Sequence, residues 1–161
     1  MAEKIRIMLD VFTDEGKRIY YAYEVYVNSQ LVQADIKFVS GDKVTLEELL
    51  RGYKWAMRAV VKGIEQINRK YPDVTFEVLI LSPSVVFNGW VTNKVSEKYR
   101  LKLEQFNEIV DEIPYRVSYN LMLDKKLFRQ RVVCYEGKGE QEKYCKVSDF
   151  FAEMMAKETE G

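Results

Sequence analysis

The first quarter of the chain alternates with the period of a strand, and the segment after it switches to the period of a helix. Ile5, Ile7, Leu9 and Val11 alternate with Arg6, Met8, Asp10 and Phe12, which puts one set on each face of a strand. Asp14-Glu15-Gly16-Lys17 has turn chemistry. Ile19 to Val27, rich in Tyr and Val, reads as a second strand; Asn28-Ser29 turns the chain, and Leu31 to Val39 reads as a third. Short turns between three successive strands imply an antiparallel meander. Thr45-Leu46-Glu47-Glu48 then forms a capping box, with a Thr hydroxyl at the N-cap and Glu three residues on. Leu46, Leu49, Leu50, Tyr53, Met57, Val60, Val61, Ile64 and Ile67 follow at helical spacing, so a helix is expected to about Lys70, stopping before Pro72.

The rest of the chain alternates element types. Val74 to Leu81 is nearly continuous in apolar residues and reads as a central strand buried on both faces. A shorter segment, Ser84 to Trp90, precedes a helix over Glu97 to Glu112. Tyr115 to Leu123 and Leu127 to Tyr135 read as strands, as one hairpin turning at Asp124-Lys125. Glu136 to Lys146 reads as a charged loop, and Asp149 to Lys157 as a last helix with Phe150, Phe151, Met154 and Met155 toward the core. The expected class is α/β, a mixed α+β sheet in the order β-β-β-α-β-α-β-α with one extra strand possible, in a single domain over residues 1–161.

Composition excludes several chemistries. There is no histidine, which removes His-based triads, His general bases and most zinc sites. Cys134 and Cys145 are the only cysteines; two reduced thiols are favoured over a disulfide in an ordinary cytosol, the reverse in a hyperthermophile. The richness in Lys, Glu, Val, Ile and Tyr is compatible with a thermophilic source. Basic and acidic residues balance at 25 each, so a nucleic-acid role would rest on a local patch. No apolar run approaches the ~18 residues of a membrane span and no signal-peptide core follows Met1, so the expected location is cytoplasmic. No Walker loop, dinucleotide fingerprint or nucleophile elbow is present.

Four segments, in order, carry a likeness to a known family: Asp10-Val11-Phe12-Thr13-Asp14, Glu48-Leu49 early in the long helix, Leu81-Ser82-Pro83-Ser84-Val85-Val86 with Asn88-Gly89-Trp90, and Tyr135-Glu136-Gly137-Lys138-Gly139 leading to Asp149-Phe150-Phe151-Ala152. Together they resemble the ribonuclease H family, in a degenerate form. The resemblance implies magnesium held by carboxylates from separate elements. Two ions about 4 Å apart would stabilise the attacking and leaving oxygens of a phosphodiester. On this likeness Asp14 is the first-strand ligand, with Asp10 as the alternative; Glu48 and Asp149 complete the set. Each also has a structural reading: a turn for Asp14, the cap for Glu48, helix N-terminal charge for Asp149.

Two departures stand against an intact enzyme. Where the family carries an Asp after its fourth strand, this chain has Pro83 between Ser82 and Ser84. The loop histidine that the family uses is replaced in its region by Lys138. Glu77 and Asp111 are candidates to replace the missing carboxylate. Lys125, Lys126, Arg129 and Arg131 around Phe128 form one basic cluster, and Lys94, Lys98, Arg100 and Lys102 another; either could track phosphates. Tyr20, Tyr21, Tyr23 and Tyr26 are read as packing residues rather than base-stacking ones, and Trp55 and Trp90 as core or rim residues. The expected function is binding of RNA–DNA hybrid or duplex nucleic acid, with magnesium weak or absent and nuclease activity lost or reduced. If activity survives, the chain is a magnesium-dependent endoribonuclease of the ribonuclease H type. The alternative is a non-catalytic protein-interaction or structural module, with a protein partner or a homodimer through an edge strand.

Overall fold

A computed structural model describes residues 3–13, 18–41, 43–92, 97 and 100–135. The expected meander forms: β1 (Glu3–Thr13), β2 (Arg18–Val27) and β3 (Gln30–Ser40) pair antiparallel in sequence. The β2–β3 turn is the two-residue Asn28-Ser29, both at positive φ (49° and 74°), the geometry that matches the twist of a tight hairpin. After it come α1 (Leu46–Lys70), β4 (Phe76–Ser82), α2 (Val85–Val91), α3 (Arg100–Val110), β5 (Arg116–Leu121) and α4 (Lys125–Val132). β4 and β5 run parallel to β1, giving the sheet order β3-β2-β1-β4-β5. No described helix is long and apolar enough to cross a membrane.

The period-2 pattern of β1 decides which helix sees which side chain. Ile5, Ile7, Leu9 and Val11 share one core with Tyr53, Met57, Val60 and Ile64 of α1, Phe87 and Trp90 of α2, and Phe106 of α3. Met8 and Phe12, on the other face, join Tyr20, Ala22 and Ile36 beneath Phe128 and Val132 of α4. Tyr20, Tyr21 and Tyr23 are buried, so they are packing residues. Thr45 caps α1 by accepting the Glu48 backbone N–H at 3.2 Å.

Two expectations are corrected. Leu127 to Tyr135 is not a strand: α4 and a 3-10 turn (Val133–Tyr135) occupy it, with Asp124 at the N-cap. Phe128 and Val132, four residues apart, both bury completely against the sheet, and that helical spacing overrides the strand preference of Val132, Val133 and Tyr135. No extra strand exists among the described residues. β4 is not buried on both faces either: Phe76, Val78, Ile80 and Ser82 are buried while Glu77 is exposed and Leu79 and Leu81 are half-covered.

Gly52 sets how closely α1 approaches the sheet. A Cβ there would lie 2.5 Å from Val11 Cγ2 and 2.6 Å from Tyr21 Cδ1, and those two residues are cross-strand partners held by the ladder. Gly52→Ala gains about 1 kcal/mol of helix propensity yet costs about 1–3 kcal/mol in overpacking. The expected result is a lower melting temperature, read by circular dichroism; a rise would show that α1 can move away freely.

Candidate functional site

In open α/β sheets, ligands gather at the carboxyl ends of the parallel strands, where the strand order reverses. Here that edge is formed by the ends of β1 and β4. Met8 pairs with Leu81, so two residues on, Asp10 falls level with Pro83. Asp10 is thus the first-strand carboxylate at this edge among the described residues; Asp14 and Asp149 lie outside them, as do Lys94, Lys98, Lys138 and Cys145.

Asp10 faces α4 and is 2% exposed. Arg129 Nε donates to its Oδ2 at 2.7 Å, and the same guanidinium stands 5.0 Å over the Phe12 ring. Burial pushes the Asp10 carboxyl up to about 6, against the hydrogen bond and charge of Arg129, which hold it down. A second carboxylate lies on the same face, for Glu24 stands opposite Met8 and is wholly buried. Arg131 donates to it from Nη2 at 2.8 Å and from Nε at 3.2 Å, and the Tyr135 and Tyr26 hydroxyls donate at 3.0 and 3.1 Å. Sequence reading missed Glu24. The available signal was one acid among Tyr20, Ala22 and Tyr26 on an otherwise apolar strand face, which demands a buried partner.

Glu48 lies on the other side of the sheet. Its carboxylate accepts from the Tyr21 hydroxyl and from Arg51 at 2.9 Å; burial, then Glu48 itself, raise Tyr21 to about 12. The end of β4 is built as a turn rather than a ligand. Ser82 is buried, its hydroxyl hydrogen-bonds that of Tyr53, and the Ser84 backbone N–H donates to it at 3.3 Å. Ser84 Oγ in turn caps α2 by accepting from Phe87 N at 3.1 Å. Glu77 is the second residue of β4, beside Lys4 and Arg116 at the opposite end of the strand, and Asp111 is exposed just past α3.

Among the described residues no three Asp, Glu, Cys or His side chains form a group that could hold a metal ion. Asp10 is engaged by an arginine and Glu48 by a tyrosine and an arginine, so the carboxylates among the described residues do not by themselves fit a two-magnesium centre.

The basic cluster of α4 divides by direction. Arg129 and Arg131 reach inward to Asp10 and Glu24, whereas Lys125 and Lys126 are exposed. These two lysines, with Phe12, Thr13, Arg129 and Gln130, line a shallow depression of about 460 Å³ at the end of β1. Cys134 is exposed on the 3-10 turn.

No family model matches the chain, and no curated protein matches it in sequence. Solved structures do. The N-terminal RNase H domain of a Mycobacterium tuberculosis protein, solved as a fusion with maltose-binding protein, is similar with a TM-score of 0.54 at 15% identity, over 96% of this chain and 99% of that one. RNase H1 from the halophilic archaeon Halobacterium salinarum matches with a TM-score of 0.57 at 9% identity, over 82% and 93%. LC11-RNase H1, solved in complex with an RNA/DNA hybrid, matches with 0.55 at 11% identity, over 80% and 92%. Identities this low speak to the fold alone. Strand order, helix placement and these three likenesses agree that the chain has the ribonuclease H-like fold.

Proposed function

We propose that this protein binds RNA–DNA hybrid or duplex nucleic acid, and that the magnesium-dependent cleavage implied by its family resemblance is lost or much reduced. The observation that carries the second half is the Asp10–Arg129 pair. A carboxylate that holds metal ions must present its oxygens to them, and here Oδ2 is taken up by a guanidinium that already balances the charge. Pro83 at the end of β4 supplies no replacement. Support for binding comes from the fold, which LC11-RNase H1 uses on an RNA/DNA hybrid, and from exposed Lys125 and Lys126 beside the strand ends.

The test is fluorescence anisotropy on a labelled RNA–DNA hybrid at about 50 and about 200 mM salt, with a cleavage assay in magnesium and manganese on the same samples. We expect salt-sensitive binding and no products above background. Lys125→Glu with Lys126→Glu should weaken binding about tenfold and flatten the salt dependence by about two phosphate contacts. Metal-dependent cleavage abolished by Asp10→Asn would refute the loss of activity. Absence of hybrid binding at low salt would refute the binding role and favour a protein-interaction module.

A further inference from the structure

The long helix carries charges that the strand-end site does not use. Arg51, Lys54, Arg58 and Lys62 follow one another at intervals of three, four and four residues, so they share one side of α1. Tyr53, Met57, Val60 and Ile64 bury the other side. The stripe spans about 16 Å of helix axis, a length over which one strand of a duplex presents about five phosphates. It forms a wall of a groove of about 650 Å³, where Lys37 of the edge strand β3 and Lys102 of α3 join it. Three acids also line the groove: Asp35, Glu47 and Glu48. Glu48 is already taken up by Tyr21 and Arg51. Among the described residues, six cations against three acids leave the groove net positive by three, in a chain whose total charge is zero.

We propose that this groove is a second nucleic-acid track, holding the phosphate backbone of one strand along α1, apart from the surface at Lys125 and Lys126. The inference rests on the nucleic-acid reading above and adds a location to it. Evenly spaced Lys and Arg side chains suit a repeating anion read without regard to sequence. An acidic protein partner would instead call for several desolvated aromatic or apolar anchors at the centre of the patch, and Trp55 is already packed on Tyr21 and Tyr23.

Arg58→Glu with Lys62→Glu is the deciding variant, because both side chains are exposed; Arg58→Gln with Lys62→Gln serves if the reversal fails to fold. Anisotropy would be measured with the labelled hybrid and, separately, with long-chain inorganic polyphosphate. A loss of about tenfold or more in hybrid affinity, with the salt slope falling by about two, is the expected result. Retention of binding by Arg58→Lys with Lys62→Arg would add support. Unchanged hybrid affinity in the reversed variant, with Lys125→Glu and Lys126→Glu still weakening it, overturns the groove and leaves the general reading standing. If the wild type ignores the hybrid but binds polyphosphate through the groove, the nucleic-acid reading falls and a phosphate track remains. If it binds neither, both fall.

Discussion

Replacing Arg129 with alanine should lower stability by about 3 kcal/mol at pH 8 and by clearly less at pH 5. The pair it breaks joins β1 to α4 across 119 residues, and only one partner is buried. Removing one member of a buried ion pair costs about 3–5 kcal/mol, because the other charge is left without compensation. Arg129 keeps 36% of its side chain exposed, which places the loss at the lower end. The pH dependence follows from Asp10. Its carboxyl titrates near 6 in the folded protein, above its ordinary 3.8, so between these values the native state holds the proton more tightly than the unfolded chain. Stability contributed by this group is therefore complete below about pH 4 and falls as pH rises to about 6. Without Arg129 the folded value climbs further, and the loss extends to higher pH. Urea unfolding of wild type and variant at both pH values measures this. An equal loss at both would mean that Arg129 acts through packing alone. In an Asp10→Asn background the same substitution should cost little, since the coupling has gone.

Phe87→Ala should cost about 3–5 kcal/mol and loosen the end of β4. Phe87 is fully buried on α2, a helix of seven residues whose only other buried side chain is Trp90. Its ring stacks on Tyr53 at 4.0 Å and meets Phe106 at 5.7 Å, Trp90 at 6.2 Å and Tyr119 at 6.3 Å. One ring thus ties α1, α2, α3 and β5 together. The cavity left behind cannot close without moving at least two of these elements, and that rigidity raises the cost. Tyr53 would also lose the contact that aims its hydroxyl at Ser82. Chemical denaturation tests the magnitude, and a loss under about 1 kcal/mol would show that the cluster repacks.

The site was less legible than the fold. The family resemblance pointed to the strand end, with Asp14 first and Asp10 as its alternative, and to the early turn of α1; Asp14 lies outside the described residues, while Asp10 is on β1 and Glu48 in the first turn of α1. What it did not reveal is that each carboxylate has a local cationic or hydroxyl partner. The arginines of α4 were visible only as a surface cluster. Their direction depends on α4 being a helix, and that segment carries the β-branched Val132 and Val133 and the aromatic Tyr135. The stripe of α1 was present in the spacing of Arg51, Lys54, Arg58 and Lys62. It passes for the ordinary solvated side of an amphipathic helix until β3 and α3 close a groove around it.

Local periodicity determined the meander, the long capped helix, the end of α1 near Pro72 and the face on which each side chain of β1 falls. These are consequences of backbone geometry within a few residues: period 2 in a strand, 3.6 in a helix, and a hydroxyl placed to satisfy the first free N–H groups. Tertiary structure alone decided that β4 and β5 run parallel to β1, that α4 covers the second face, and that Asp10 and Glu24 meet Arg129 and Arg131. Contacts across more than a hundred residues carry no signature in local spacing. They exist because a buried carboxylate must find a counter-charge wherever the folded chain brings one.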